Sequence, residues 1–283
     1  MTQIHKVLLA DSLVDGPFSG APTTVVYLGE PLERFKMASL AAEFGTLETV
    51  YVYPHAKSFL LRFFTPITEL KLGINACHAA AHAVYELGIR PPTEPLSLLT
   101  QDGEITARHA GPAGISMEMS QEPHLPLEAG LADSYAALIG IPPGLAQWGL
   151  KTQNNLAVVA IEDREVLKKL TPNIPELFKA DVSGVAATAM SRQTGDCDYY
   201  LRSFRPKQGQ NEEHVSGSVN RSLAPRWSQI LKKNDLAARQ LSKRGGLVRL
   251  ELSEGGRMVL KGRARIILRC DINLESVTGA RLY

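Results

Sequence analysis

The sequence predicts an α+β protein of two similar lobes, each a strand-rich layer wrapped around an apolar helix. Three observations predict it. The phrase LRFFTP, Leu61 to Pro66, returns as LRSFRP, Leu201 to Pro206, 140 positions later in a chain of 283 residues. Each copy leads through a loop into a helix start of small residues, Gly73-Ile74-Asn75 after the first and Ser216-Gly217-Ser218 after the second. The second loop is longer by three residues, since Phe64 to Gly73 spans nine positions and Phe204 to Ser216 spans twelve. A chain of this length holds about two domains of ordinary size, and a repeat at half its length is the trace of a duplicated fold.

The elements follow in order from periodicity and turn residues. KVLLADSLV reads as a strand and PLERFKMASLAAEFG as an amphipathic helix. ETVYVYP and SFLLRFF read as strands, and ACHAAAHAVYELG as a second helix closed by Gly88. PLSLLTQDGEITARHAG carries the Asp-Gly hairpin signal at Asp102 and Gly103. SQEPHLPLEAG, with two prolines and little periodicity, reads as the linker, and LADSYAALIG as the helix after it. These place one lobe at 1–124 and the other at 125–283, the last strand being a candidate to return to the first lobe. Strands follow at NLAVVAIE, VSGVAATAMS and DCDYYLRSF, then a helix after Gly217, and a closing strand meander from Gly245 to Asn273.

Composition excludes several classes. Hydrophobic content of 44% excludes a disordered chain, and 31 basic against 29 acidic residues leave a net charge of +2 with no broad footprint for nucleic acid. The one basic run, KKNDLAARQLSKR, reads as solvated surface. Cys77, Cys197 and Cys270 have neither zinc spacing nor the even count of a disulfide framework, so a reducing cytoplasm is expected. The apolar patch near the N-terminus soon meets Asp11 and Asp15, and no later run approaches the about 20 apolar residues of a membrane span. His78 and His82 have helical i, i+4 spacing but no acidic third ligand at a motif distance, so they read as core or surface histidines and no metal site is expected.

Six motifs in register resemble the phenazine-biosynthesis isomerase-like (PhzF-like) family, which has the two-lobed diaminopimelate-epimerase fold. They are ADSLVDGPFSGAP, LET, FTPITELKLGINA, RSFRPKQGQNEEHVSGSV, LAPRW and QLSKRGG. The resemblance covers nearly the whole chain. It implies a barrel of strands around a central helix in each lobe, an active site in a cleft between the lobes, no cofactor, and a homodimer. It implies that Glu48, in LET, is the general acid/base of an isomerase that moves a proton between carbons of a small, cyclic, amino or hydroxy carboxylate. A carboxyl beside the apolar run VYVY loses hydration, which raises its pKa toward neutrality and lets it take and return a proton.

The remaining site residues come from the same register. Gly217 and Ser218, with Ile74 and Asn75, are the helix-start donors expected to bind the substrate carboxylate through backbone N–H groups. Ser216 and Gly20 complete the substrate-binding set. The plain alternative is that Ser-Gly-Ser serves as the N-cap of its own helix. Glu213 stands where the family has aspartate, His214 where it has proline, and Asn75 where it has histidine. Asn75 hydrogen-bonds but carries no proton near neutrality. His214 reads as an exposed loop residue, and Ala21 replaces an asparagine donor. Epimerases of this fold place one cysteine on each face of the substrate carbon; Gly73 and Ser216 occupy those positions here, so a one-carboxylate shuttle is expected rather than inversion. Cys77, one turn further on, reads as a buried apolar residue. A second function class stays open: a member that has lost catalysis and acts as a small-molecule binding or scaffold protein.

Overall fold

The computed structural model describes residues 4–192 and 197–274. The chain divides into two compact units. One takes the described residues up to Ser12, Ala21–Met117, and the described residues from Arg263 on; the other takes Leu13–Gly20 and Glu118–Gly262. The chain therefore passes from one unit to the other four times.

The earlier elements are β1 (Ile4–Val14), β2 (Ala21–Tyr27), α1 (Arg34–Phe44), β3 (Glu48–His55), β4 (Ser58–Phe64), β5 (Glu69–Leu70), α2 (Ile74–Glu86), β6 (Leu96–Thr100), β7 (Gly103–His109) and β8 (Ile115–Ser120). The later ones are β9 (His124–Pro126), α3 (Ala129–Leu138), β10 (Trp148–Thr152), β11 (Leu156–Ile161), α4 (Arg164–Lys168), α5 (Ile174–Lys179), β12 (Gly184–Met190) and β13 (Tyr199–Phe204). Then come α6 (Gly217–Leu231), β14 (Asp235–Gln240), β15 (Gly246–Ser253) and β16 (Arg257–Asn273).

In the first unit the strand order is β1-β2-β3-β4-β6-β7-β8-β16, and β16 pairs with β1, closing an eight-stranded barrel. Leu274 and Ile272, just at and beyond the end of β16's apolar run, pack with Val7, Val26, Met37 and Tyr51. Helix α2 packs against β2, β3 and β7, and 11 of its 13 residues are buried. Its alanines make this burial feasible: they form helix without loss of side-chain freedom and let the strands approach closely. Helix α1 ends where Gly45 takes φ 62 and donates its N–H to Ala41 O, the left-handed stop that glycine adopts at no steric cost.

In the second unit the order is β16-β15-β14-β13-β12-β11-β10-β9. Strand β11, LAVVAI, is buried at every position and pairs in parallel with β12. Helix α6 packs against β14 and β15 and buries Val219, Leu223 and Trp227, one stripe at i, i+4, i+8. Trp227 stacks on Tyr199 at 5.6 Å and donates to Thr188 Oγ1 at 3.0 Å. Pro225 lies inside this helix and has no N–H for the carbonyl four residues earlier. That carbonyl, of Arg221, accepts the Glu122 N–H instead, at 3.2 Å.

The α+β class and the two strand-rich layers around helices are as the sequence predicts. Two local expectations are corrected. SQEPHLPLEAG is no free linker: it contains β9, the Gln121 N–H bonds Gly256 O, and the buried Glu122 carboxylate accepts from the Asn154 backbone and side chain at 3.1 and 2.8 Å. The basic run is not all solvated surface either. Its centre is β14, which alternates buried Leu236, Ala238 and Gln240 with more exposed neighbours.

Candidate functional site

The repeated phrase ends the same element in each unit, β4 and β13, and the surrounding contacts repeat with it. Arg62 pairs with Glu69 at 2.6 Å and lies over the Phe64 ring at 5.5 Å; Arg202 pairs with Glu212 at 2.7 Å and lies over Phe204 at 5.0 Å. Each glutamate stands four residues before the N-cap that follows, so the three extra residues of the second loop fall between Phe204 and Glu212. Gly73 caps α2 with φ −124, ψ 101, and Ser216 caps α6 with φ −121, ψ 99. One backbone path is written twice, with different side chains.

In the first unit that path meets Glu48. The residue opens β3, opposite Thr23 of β2 in a parallel register. Its backbone carbonyl accepts the Thr46 hydroxyl at 3.0 Å, and its side chain is buried, with 8% of the residue exposed. A Cβ placed on Gly73 would lie 3.1 Å from Glu48 Oε2, 3.2 Å from Ala76 Cβ and 3.2 Å from Phe63 Cδ1. The carboxylate thus lies against the start of α2, whose partial positive charge suits an anion. Ile74 and Asn75 are the next two residues, both buried. Cys77 and His78 lie deeper on the same buried helix, and His82 is half-buried, where burial lowers its pKa against the opposing pull of Glu86.

In the second unit the path meets Glu213. Leu70 pairs with Phe63 across β5 and β4; in the corresponding place the Glu213 N–H bonds Ser203 O at 2.9 Å, and Ser203 Oγ donates to Glu213 Oε2 at 2.5 Å. Arg205 Nη1 stands 3.6 Å from Glu213 Oε1 and 3.2 Å from Ser218 Oγ. Ser216 Oγ accepts the Val219 N–H at 3.3 Å, so the N-cap reading of Ser-Gly-Ser is realised at its first residue. Gly217 and Ser218 form the first turn above it. Gln240 is a clamp: its Oε1 accepts from Ser216 N at 3.3 Å and its Nε2 donates to Glu213 O at 3.1 Å.

Gly20 belongs to the same unit and takes φ 85, a value suited to glycine. Its N–H bonds Gly245 O at 2.8 Å and its carbonyl accepts from Arg244 at 3.0 Å. Gly20 therefore fixes the 13–20 segment to the QLSKRGG loop with its own backbone. Ser242 of that loop donates to His214 O at 2.5 Å, and His214 is half-buried rather than the exposed residue expected.

The structure thus gathers the predicted residues into two groups, Glu48 with Ile74 and Asn75, and Glu213 with Ser216, Gly217 and Ser218. Sequence reasoning missed Ser203, Arg205 and Gln240. The signal for the first two was present: they are the two letters by which LRSFRP differs from LRFFTP.

Comparisons with known proteins agree on one family. The sequence model of the phenazine biosynthesis-like protein family matches residues 10–269. An uncharacterized isomerase of Halalkalibacterium halodurans is 32% identical, over 95% of this chain and 98% of its own. The crystal structure of a phenazine biosynthesis PhzF-family protein from Enterococcus faecalis superposes with a TM-score of 0.82 at 25% identity, over 95% of this chain and 99% of that one. A hydroxyproline epimerase from Agrobacterium vitis, solved with bound trans-4-hydroxy-L-proline, shares the fold at a TM-score of 0.63 and 11% identity, over 96% and 93%. With two repeated helix starts, a buried glutamate against the first and a sequence match along nearly its full length, this chain belongs to the phenazine biosynthesis-like family.

Proposed function

We propose that this isomerase-type enzyme moves a proton between carbons of a small cyclic amino or hydroxy carboxylate, with Glu48 as the general acid/base and without a cofactor. The observation that carries the reading is the contact between Glu48 and Gly73. Any side chain at position 73 would press on the Glu48 carboxylate, so the place where two-base epimerases of this fold carry a thiol is given over to a carboxylate. One residue then takes the proton from carbon, the C–H electron pair delocalises into the substrate's unsaturation, and the same carboxyl returns the proton to another carbon. Each helix start offers backbone N–H donors to an anionic group of the substrate, Ile74 and Asn75 on α2 and Gly217 and Ser218 on α6. Asn75 orients by hydrogen bonds, and Glu213 is a second carboxyl of the site. The enzyme works as a cytoplasmic homodimer.

Asn75 favours one competing reading, a binding protein without turnover, because the family histidine it replaces is the titratable partner. Solvent deuterium incorporation separates the two. A panel of unsaturated cyclic amino and hydroxy carboxylates is incubated with the protein in D2O and read by proton NMR. Exchange at carbon, abolished in Glu48→Gln with ligand binding retained, is expected. Exchange within a few-fold of the parent in Glu48→Gln removes the glutamate from this role, and ligand binding with no exchange anywhere in the panel supports the binding protein.

A further inference from the structure

The two copies of the phrase differ as a set. Phe63, Thr65 and Leu70 in the first unit correspond to Ser203, Arg205 and Glu213 in the second. Thr65 is self-contained: its hydroxyl accepts the N–H groups of Ile67 and Thr68 at 3.3 and 3.1 Å within its own turn. Arg205 instead reaches out of its turn to Ser218 on α6. It is more than nine-tenths buried, at 8% exposed, and is held by backbone bonds to Gln210 and by Gly184, where a Cβ would come within 3.0 Å of its Cγ.

A guanidinium has five N–H donors. Among the described residues Arg205 makes one side-chain hydrogen bond, to Ser218; Glu213 at 3.6 Å balances part of its charge but is beyond hydrogen-bond distance, and the buried Nε has no acceptor. Burying a cation with donors unmet is costly, and the fork of N–H groups matches a carboxylate or another planar oxyanion. We infer that Arg205 is a specificity-determining residue, which adds a guanidinium to the start of α6 and there binds an acidic group of the substrate. This rests on α6 being part of the substrate site. It makes the acidic group the preferred one: a neutral amide or ester offers a single uncharged carbonyl acceptor, which neither fills the guanidinium fork nor balances its charge.

The probe is benzoate, with benzamide as its neutral counterpart, and the readouts are calorimetric binding and the arginine Nε–H NMR signals. The signal missing from Arg205→Met identifies Arg205. Because that variant leaves Glu213 buried beside no cation, Arg205→Met/Glu213→Gln is measured as well. The expected result is that benzoate moves the Arg205 signal, benzamide does not, and the double variant binds benzoate about tenfold or more weakly. Glu48→Gln binds benzoate as the parent does, so failure of the proton-transfer role leaves this result standing. Equal benzoate affinity in parent and double variant, an unmoved Arg205 signal, or no benzoate binding by the parent overturns the inference.

Discussion

Replacing Gly73 by alanine exchanges one hydrogen for a methyl group at the point where the proposed base rests. At φ −124 the backbone accepts alanine without strain, so the whole effect comes from contacts at 3.1 Å to Glu48 Oε2 and 3.2 Å to Ala76 Cβ and Phe63 Cδ1. Ala76 is fixed on α2 and Phe63 in the barrel wall, so the Glu48 carboxylate, at the end of a longer side chain, is the group that shifts most. Restoring an ordinary contact of 3.4 Å moves the carboxylate by roughly 0.3 Å. A 1 Å misplacement costs about 100-fold in rate, so about three- to tenfold is expected in kcat, with KM changing less. Overpacking costs about 1–3 kcal/mol, and alanine is also a poorer N-cap than glycine. The thermal midpoint should fall by roughly 2–10 °C. Solvent deuterium exchange on the best substrate of the panel gives the rate, and scanning calorimetry the midpoint. Gly130→Ala, where a Cβ meets nothing within 4 Å, serves as control and keeps both. Parental rate and midpoint in Gly73→Ala would refute the placement of Glu48 against this helix start as a functional contact.

Three further outcomes follow from the same geometry. Asn75→His disturbs the enzyme's own exchange reaction, and Asn75→His/Glu213→Asp/His214→Pro gains no exchange on the phenazine precursor; deuterium appearing there, with no substrate found for the parent, would mark a decayed enzyme instead. Stability falls as pH drops below about 6.5, because burial lowers the His82 pKa in the fold and the unfolded chain binds the proton first. Urea unfolding at pH 5.5 and 7.5 should show a smaller difference in His82→Gln, and an unchanged difference would assign the effect elsewhere. Exhaustive chelation and dialysis leave activity intact; loss restored by a divalent metal would turn attention to His78 and His82.

Much of the fold was legible because long apolar runs with clear stops carry their own period. SFLLRFF is β4 to the residue, and the helix after Gly73 stands where its alanines put it. Strand β14 was hidden because its inward positions are Leu236, Ala238 and Gln240, of which only the first is strongly apolar. Gln240 faces inward because it satisfies backbone groups at Glu213 and Ser216, a tertiary reason that local pattern does not carry. Strand β9 was hidden by Pro123 just before it and Pro126 at its end, the latter a residue that an edge strand tolerates. At the site, motif register located Glu48, Glu213 and the helix starts. Arg205 differs visibly from Thr65 of the first copy, but its importance arises from its burial and from Ser218 and Glu213 around it, which the local sequence does not show.

The return of β16 to pair with β1 has a consequence for synthesis on the ribosome. Most of the residues of the second unit have emerged before Arg263, whereas the first unit, though begun earlier, waits for the final strand to close its wall. Until then β1 and β8 each present an unpaired row of backbone donors and acceptors, the kind of edge that recruits strands from other chains. A premature stop soon after Gly262 would therefore yield a nascent chain whose barrel is open along the seam between β1 and β8. Its expected fate is aggregation or recognition by chaperones, and not a slightly weakened enzyme.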